Sequence, residues 1–210
     1  MVVSVTSMLN LQALRDTPLK RDPFDHVVVP GFLGREALQR LESDFPAVDG
    51  PGSYPLHALT FGPAFRELSE DLQGPDLTDV IGDKFGLPLN GHPTMLTVRG
   101  HCRPTDGRIH TDSQGKLMTA LLYINAGWES DGGRLRLLRS SDDLDDFAAE
   151  VPPDAGTLLV FRCSPNAWHG HKPFDGVRRS VQLNWVRDVW YLRKEQFRHR
   201  LSAVYKRASS

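Results

Sequence analysis

"RIHTDSQGKLMTALLYIN", residues Arg108 to Asn125, sets an imidazole and a carboxylate two positions apart, just ahead of an apolar run. In an extended backbone alternate side chains share a face, so His110 and Asp112 point the same way while Thr111 points away. An imidazole and a carboxylate on one face can hold a metal ion. The apolar run that follows is expected to be a strand, and it has company. From Pro93 onward come "MLTVRG", "GRLRLLR", "AGTLLVFRC" and "RRSVQLNWV", most of them separated by Gly, Pro, Asn or Asp clusters. Many short strands with turns between them favour an antiparallel sandwich or barrel over a parallel sheet with alternating helices.

The first half has a different texture. "REALQRLESDF" places Leu38, Leu41 and Phe45 at helical spacing, and "PAFRELSEDLQ" repeats the pattern with Phe65, Leu68 and Leu72. Helices therefore come first, over 1–92, with the β core at 93–188. A C-terminal helix is expected at 189–207, where Trp190, Phe197, Leu201 and Val204 form one face for docking and basic residues surround it. "SSDDLDDFAAEV" is expected to be a surface excursion with a helical turn. Gly132 and Gly133, between two strand candidates, are expected to close a tight hairpin. At 210 residues the chain suits a single domain of this kind, 1–210.

Composition narrows the chemistry. A formal charge of −1 with both signs interspersed argues against a nucleic-acid surface, and a small or neutral partner is the default. Two cysteines, Cys102 and Cys163, are too few for a disulfide framework or a cysteine-rich zinc site. The N-terminal stretch lacks the pattern of a signal peptide, and no segment approaches ~20 apolar residues. The expectation is a cytoplasmic protein without membrane contact; the oligomeric state is not legible.

A non-haem iron site of the facial-triad type needs one imidazole beyond His110 and Asp112, brought from a distant strand, and must keep coordination positions open. His169 and His171, in "NAWHGHKPFDGVRRS", are the candidates, and they follow the apolar run "AGTLLVF". Motifs in a fixed order then carry a resemblance: "HTD", "LLYINAGW", "GGRLRL", "AGTLLVF", "WHGHKPF" and "GVRRSVQLNW", with "FDHVVVPGFL" upstream at Phe24 to Leu33. Over roughly Thr97 to Val186 the chain resembles the Fe(II)- and 2-oxoglutarate-dependent dioxygenases, in particular their prolyl-4-hydroxylase-like branch.

That resemblance implies a mainly β fold, a double-stranded β-helix (jelly-roll, cupin-like) core with N-terminal helices. It implies Fe(II) held by His110, Asp112 and His169, with 2-oxoglutarate and O2 as cosubstrates. It further implies an arginine anchor for the distal carboxylate of 2-oxoglutarate, since a guanidinium fork matches two carboxylate oxygens and stays charged. Spacing leaves the anchor open between Arg178 and Arg179, whose side chains face opposite ways. Ser180 shares a face with Arg178 and selects it, and Tyr123 matches a tyrosine that donates to the same carboxylate. The implied activity is hydroxylation of an unactivated C–H bond in a small-molecule or amino-acid-type substrate, with release of succinate and CO2. A carboxylate at Asp112 favours hydroxylation over halogenation. Two rivals share the imidazoles without needing the arginine: a non-catalytic metal-binding jelly-roll or sensing module, and a cupin-like isomerase.

Overall fold

The computed structural model describes residues 7–48, 50–195 and 197. Four helices lie in the first half: α1 (Leu11–Asp16), α2 (Arg35–Asp44), α3 (Pro63–Gln73) and α4 (Pro75–Phe85). Proline opens both α3 and α4, where a missing N–H costs no intrahelical bond. The Asp44 carboxylate, at the end of α2, accepts from Ala64 N at 2.7 Å and so satisfies a donor in the first turn of α3. Gly86 stops α4 in the left-handed conformation, φ +62°.

The strands are β1 (His26–Val29), β2 (Tyr54–Pro55), β3 (Thr94–Cys102), β4 (Lys116–Tyr123), β5 (Leu135–Leu138), β6 (Phe147–Val151), β7 (Leu158–Arg162), β8 (His169–Gly170) and β9 (Gly176–Val186). They form a six-stranded sheet in the order β1-β7-β4-β9-β3-β2 and a three-stranded sheet β6-β5-β8. All pairings within the two sheets are antiparallel. This is the expected jelly-roll arrangement, without closure into a continuous barrel.

Side-chain alternation explains why two layers of core form. Along β7, Leu158 and Val160 join the cluster that includes Leu41, Phe65, Leu68 and Ile81 of the helices. Leu159 and Phe161 point the other way and pack with Leu135, Leu137 and Val151 of the smaller sheet. The larger sheet thus has one face against the helices and one against the smaller sheet. Along β9, Val181, Leu183 and Trp185 take the helix side. The intervening Arg178, Ser180, Gln182 and Asn184 are left for the space between the sheets.

Three local expectations are corrected. "FAAEV" is strand β6, paired with β5, because its flanking acids serve a buried arginine rather than solvent. The Arg136 guanidinium pairs with Glu150 at 2.6 Å and with Asp145, and lies 4.4 Å from the Phe147 ring centroid. Gly132 and Gly133 do not close a hairpin: β4 and β5 belong to different sheets, and residues 124–134 cross between them. Gly133 adopts φ +75°, and any Cβ on Gly132 would collide with the Pro173 carbonyl, so the crossing lies flat on the segment that enters β9. At the C-terminal end, residues 189–195 are helical, but Trp190 and Phe197 are 80% and 63% exposed rather than docked. Leu201 and Val204 lie outside the described residues. No helix among the described residues is long and apolar enough to cross a membrane.

Trp185 joins the sheet to the helical layer: it is fully buried, and its indole N–H donates to Thr78 Oγ1 at 3.2 Å. Trp185→Ala is expected to lower the unfolding free energy by about 3–5 kcal/mol, read from urea denaturation, because the cavity and the lost hydrogen bond add.

Candidate metal and cosubstrate site

His110 lies far from His169 in sequence, and the backbone brings them together. The two residues form an isolated antiparallel bridge in which each N–H donates to the other's carbonyl at 3.0 Å. Their rings lie 4.3 Å apart, centroid to centroid, and the His169 ring packs on Phe161 at 4.9 Å. Asp112 follows two residues on, in irregular backbone before the turn into β4. One ligand atom from each of His110, Asp112 and His169 lies within 4.8 Å of the others. His171 does not belong to this cluster.

The donor set fits a divalent cation. Nδ1 of His110 donates to the Arg108 carbonyl at 2.8 Å, and Nδ1 of His169 to the Ala167 carbonyl at 2.9 Å. A donating Nδ1–H leaves each Nε2 with its lone pair, the state a metal requires. Burial, reinforced by the neighbouring His110, pushes the His169 pKa down to about 4, so the ring is neutral at pH 7. Burial works against the charge of Asp112, but Lys116, His169 and a hydrogen bond from Thr119 outweigh it and hold its pKa at about 2. Two neutral imidazoles and one carboxylate leave a bound divalent ion with net positive charge, which attracts an anionic cosubstrate.

The surroundings of Asp112 were not anticipated from the sequence. Lys116 Nζ lies 2.7 Å from Oδ1, Thr119 Oγ1 donates to Oδ2, and Cys163 Sγ approaches Oδ2 at 3.7 Å. Asn184 Nδ2 in turn donates to Thr119 Oγ1 at 2.7 Å. The available signal was modest: Thr119 interrupts the apolar run of β4, and Asn184 interrupts that of β9, each at a position facing the site. Cys102 and Cys163 are both free thiols, and burial raises both pKa values, that of Cys163 to about 12. Neither is a thiolate at pH 7.

A cavity of about 130 Å³ begins at His110 and His169 and is also lined by Arg99, His171, Arg178 and Ser180. Arg178 is 5% exposed; its Nε donates to the Gly133 carbonyl at 2.8 Å, and a terminal nitrogen reaches the Tyr123 hydroxyl at 3.5 Å. Among the described residues no ion pair joins Arg178 to a carboxylate. A buried guanidinium without an anion is costly, and a bound carboxylate would relieve that cost. Arg179 faces the other way, its guanidinium 5.4 Å from the Phe45 ring centroid. His171 is buried beside Gly107, where any Cβ would strike its ring, and donates through Nδ1 to the Lys172 carbonyl at 2.8 Å. Burial and the Arg178 charge bring its pKa down to about 4.

A family model described as the 2OG-Fe(II) oxygenase superfamily matches residues 100–187. Comparison with curated proteins gives no significant sequence match. Among solved structures, the chain is similar to a Pseudomonas putida prolyl-4-hydroxylase, with TM-score 0.55 and 20% identity over 85% of this chain and 92% of that one. It is also similar to a viral collagen prolyl hydroxylase from Paramecium Bursaria Chlorella virus-1, solved as a 2OG complex: TM-score 0.50, 13% identity, 80% of this chain and 99% of that one. An oxidoreductase of the 2OG-Fe(II) oxygenase family from Burkholderia pseudomallei matches with TM-score 0.50 and 16% identity, over 78% of this chain and 84% of that one. At these identities the structural likenesses speak for the fold.

The neutral histidines make stability depend on pH in a defined direction. His169 and His171 titrate near 6.5 when unfolded and near 4 when folded, so below pH 6.5 the unfolded chain gains protons first. Their contribution is complete above pH 6.5 and lost as the pH falls towards 4. Asp112, lowered from 3.8 to about 2, adds a further loss only below pH 4. Metal-free protein should therefore show a falling urea midpoint between pH 6.5 and 4, and His171→Gln should flatten part of that slope.

Proposed function

We propose that this chain is a 2OG-Fe(II) oxygenase, using Fe(II), 2-oxoglutarate and O2, that hydroxylates an unactivated C–H bond of a small-molecule, amino-acid-type substrate. One observation carries the assignment of parts: a single cavity is lined both by the two histidines of the His-Asp-His cluster and by a buried arginine that has no carboxylate partner among the described residues. In this reading His110, Asp112 and His169 hold the iron. Arg178 anchors the distal carboxylate of 2-oxoglutarate, with Ser180 and Tyr123 as hydroxyl donors to it.

The iron supplies activation of O2, coupled to oxidative decarboxylation of 2-oxoglutarate to succinate and CO2. The chain's own residues do the remaining work. The Arg108 and Ala167 carbonyls keep both ligand imidazoles in one tautomer. Lys116 and Thr119 hold the two carboxylate oxygens of Asp112 in place and keep it ionised. The Gly133 carbonyl and Tyr123 hydroxyl fix the Arg178 guanidinium before any ligand arrives, so little rotamer entropy is lost on binding. His171, neutral beside Arg178, contributes a hydrogen-bonding Nε2 without adding a second charge.

Prolyl hydroxylation by the P. putida and viral neighbours supports an amino-acid-type substrate rather than a nucleic acid or lipid. The rival reading, a metal-binding or sensing module without catalysis, needs no carboxylate anchor and leaves Arg178 without a use.

Loss of a charge-assisted bidentate contact costs roughly 1.5–3 kcal/mol, about ten- to a hundredfold in affinity. Arg178→Lys should raise the KM for 2-oxoglutarate by that factor in a succinate-release assay, and Arg179→Lys should leave it nearly unchanged. The reverse order, or 2-oxoglutarate-independent turnover, would refute the assignment.

A further inference from the structure

A second cavity, about 220 Å³, opens on the same cluster and is lined by His110, Asp112 and His169 together with Arg99, Gln182 and Asn184. Its remaining wall is mostly polar and includes Lys116 and the buried carboxylate of Glu195, with Met95 and Leu121 as the large apolar side chains. Roughly 300–1,000 Å³ is usual for drug-sized ligands, so this space suits one small polar metabolite.

The hydrogen bonds along its wall run in one direction, towards Asp112. Thr119 donates its hydroxyl proton to Oδ2 of Asp112. The Thr119 oxygen therefore accepts from the Asn184 amide nitrogen at 2.7 Å. With its nitrogen on Thr119, Asn184 presents Oδ1 to Gln182, which donates through Nε2 at 3.1 Å. The relay Gln182 to Asn184 to Thr119 to Asp112 thus ends with the Gln182 amide oxygen as an acceptor at the cavity.

Arg99 supplies the complementary donor. It stands opposite Ser180 while Thr97 stands opposite Gln182, so Arg99 and Gln182 are diagonal neighbours on one face of the β3–β9 pair. Its Nε donates to Ser53 Oγ at 3.0 Å, which orients the guanidinium. A guanidinium fork and an amide acceptor on diagonal positions of one sheet face frame a molecule that carries a carboxylate and an N–H donor close together.

Building on the oxygenase reading above, we propose that the substrate is a free α-amino acid, its carboxylate on Arg99 and its ammonium on the Gln182 amide oxygen. Its side chain then extends towards His110, Asp112 and His169. Recognition of both backbone groups explains how a polar site could take a small substrate without an apolar pocket: a buried donor or acceptor left unmatched discriminates more strongly than a missing apolar contact.

The test uses the full chain loaded with Fe(II), in a succinate-release assay. The panel is the proteinogenic L-amino acids with their matched carboxamides and N-acetyl derivatives. At least one free amino acid should stimulate release, with both derivatives about tenfold or more weaker. For that amino acid, Arg99→Gln and Gln182→Leu should each raise KM about tenfold, and by more than they raise the KM for 2-oxoglutarate. The proposal is overturned if 2-oxoglutarate is slowly consumed but no free amino acid accelerates it, if carboxamides stimulate equally, or if Arg99→Gln acts chiefly on 2-oxoglutarate. In all three cases the oxygenase reading survives. Absence of any Fe(II)-dependent 2-oxoglutarate consumption overturns both.

Discussion

Two reciprocal backbone hydrogen bonds between His110 and His169, each 3.0 Å, are the constraint on which the site depends. They join the loop before β4 to β8 of the smaller sheet, and so pin the two sheets together at the point where the cavities open. The imidazoles are placed by backbone, and their Nδ1 atoms are likewise held by carbonyls at 2.8 and 2.9 Å. Such a site is preorganised: few rotamers remain to be frozen when a cation enters. The carboxylate is held differently, by the side chains of Lys116 and Thr119, which arrive on β4 of the larger sheet.

The second constraint is the period of two along β9. Its apolar residues Val181, Leu183 and Trp185 are committed to the helix-facing core, which fixes Arg178, Ser180, Gln182 and Asn184 on the opposite face. A slip of one residue would bury Arg178 and Gln182 among leucines and expose Trp185 to the cavity, so the apolar core sets the register of the polar site. The cosubstrate side and the substrate side are then two stretches of one strand. Stability of the core and placement of the site are the same requirement on β9.

Much of this was legible in the sequence because it rests on periodicity. Helices α2 and α3 follow from their apolar spacing, and five strands from runs of β-prone residues between turn signals. The pair His110 and Asp112 was visible as a dyad next to a strand, and Ser180 lines the same cavity as Arg178, as alternation along β9 requires. What was missed depends on long-range partners. The acids around β6 look like a solvated loop until Arg136 is seen to hold them. Gly132 and Gly133 read as a hairpin because turn chemistry does not reveal which sheet the next strand joins. Lys116, Thr119 and Asn184 are ordinary strand residues whose role appears only when three segments meet at Asp112. The exposed Trp190 and Phe197 show the reverse error: a helical apolar face does not guarantee that anything covers it.

The most direct test of the central claim is anomalous diffraction from crystals grown anaerobically with Mn(II) and 2-oxoglutarate. A single metal peak should lie within coordination distance of His110 Nε2, Asp112 and His169 Nε2, with 2-oxoglutarate running from it to the Arg178 guanidinium. A metal ligated by His171 in place of His169, or a distal carboxylate held by Arg179, would contradict the assignment of the site.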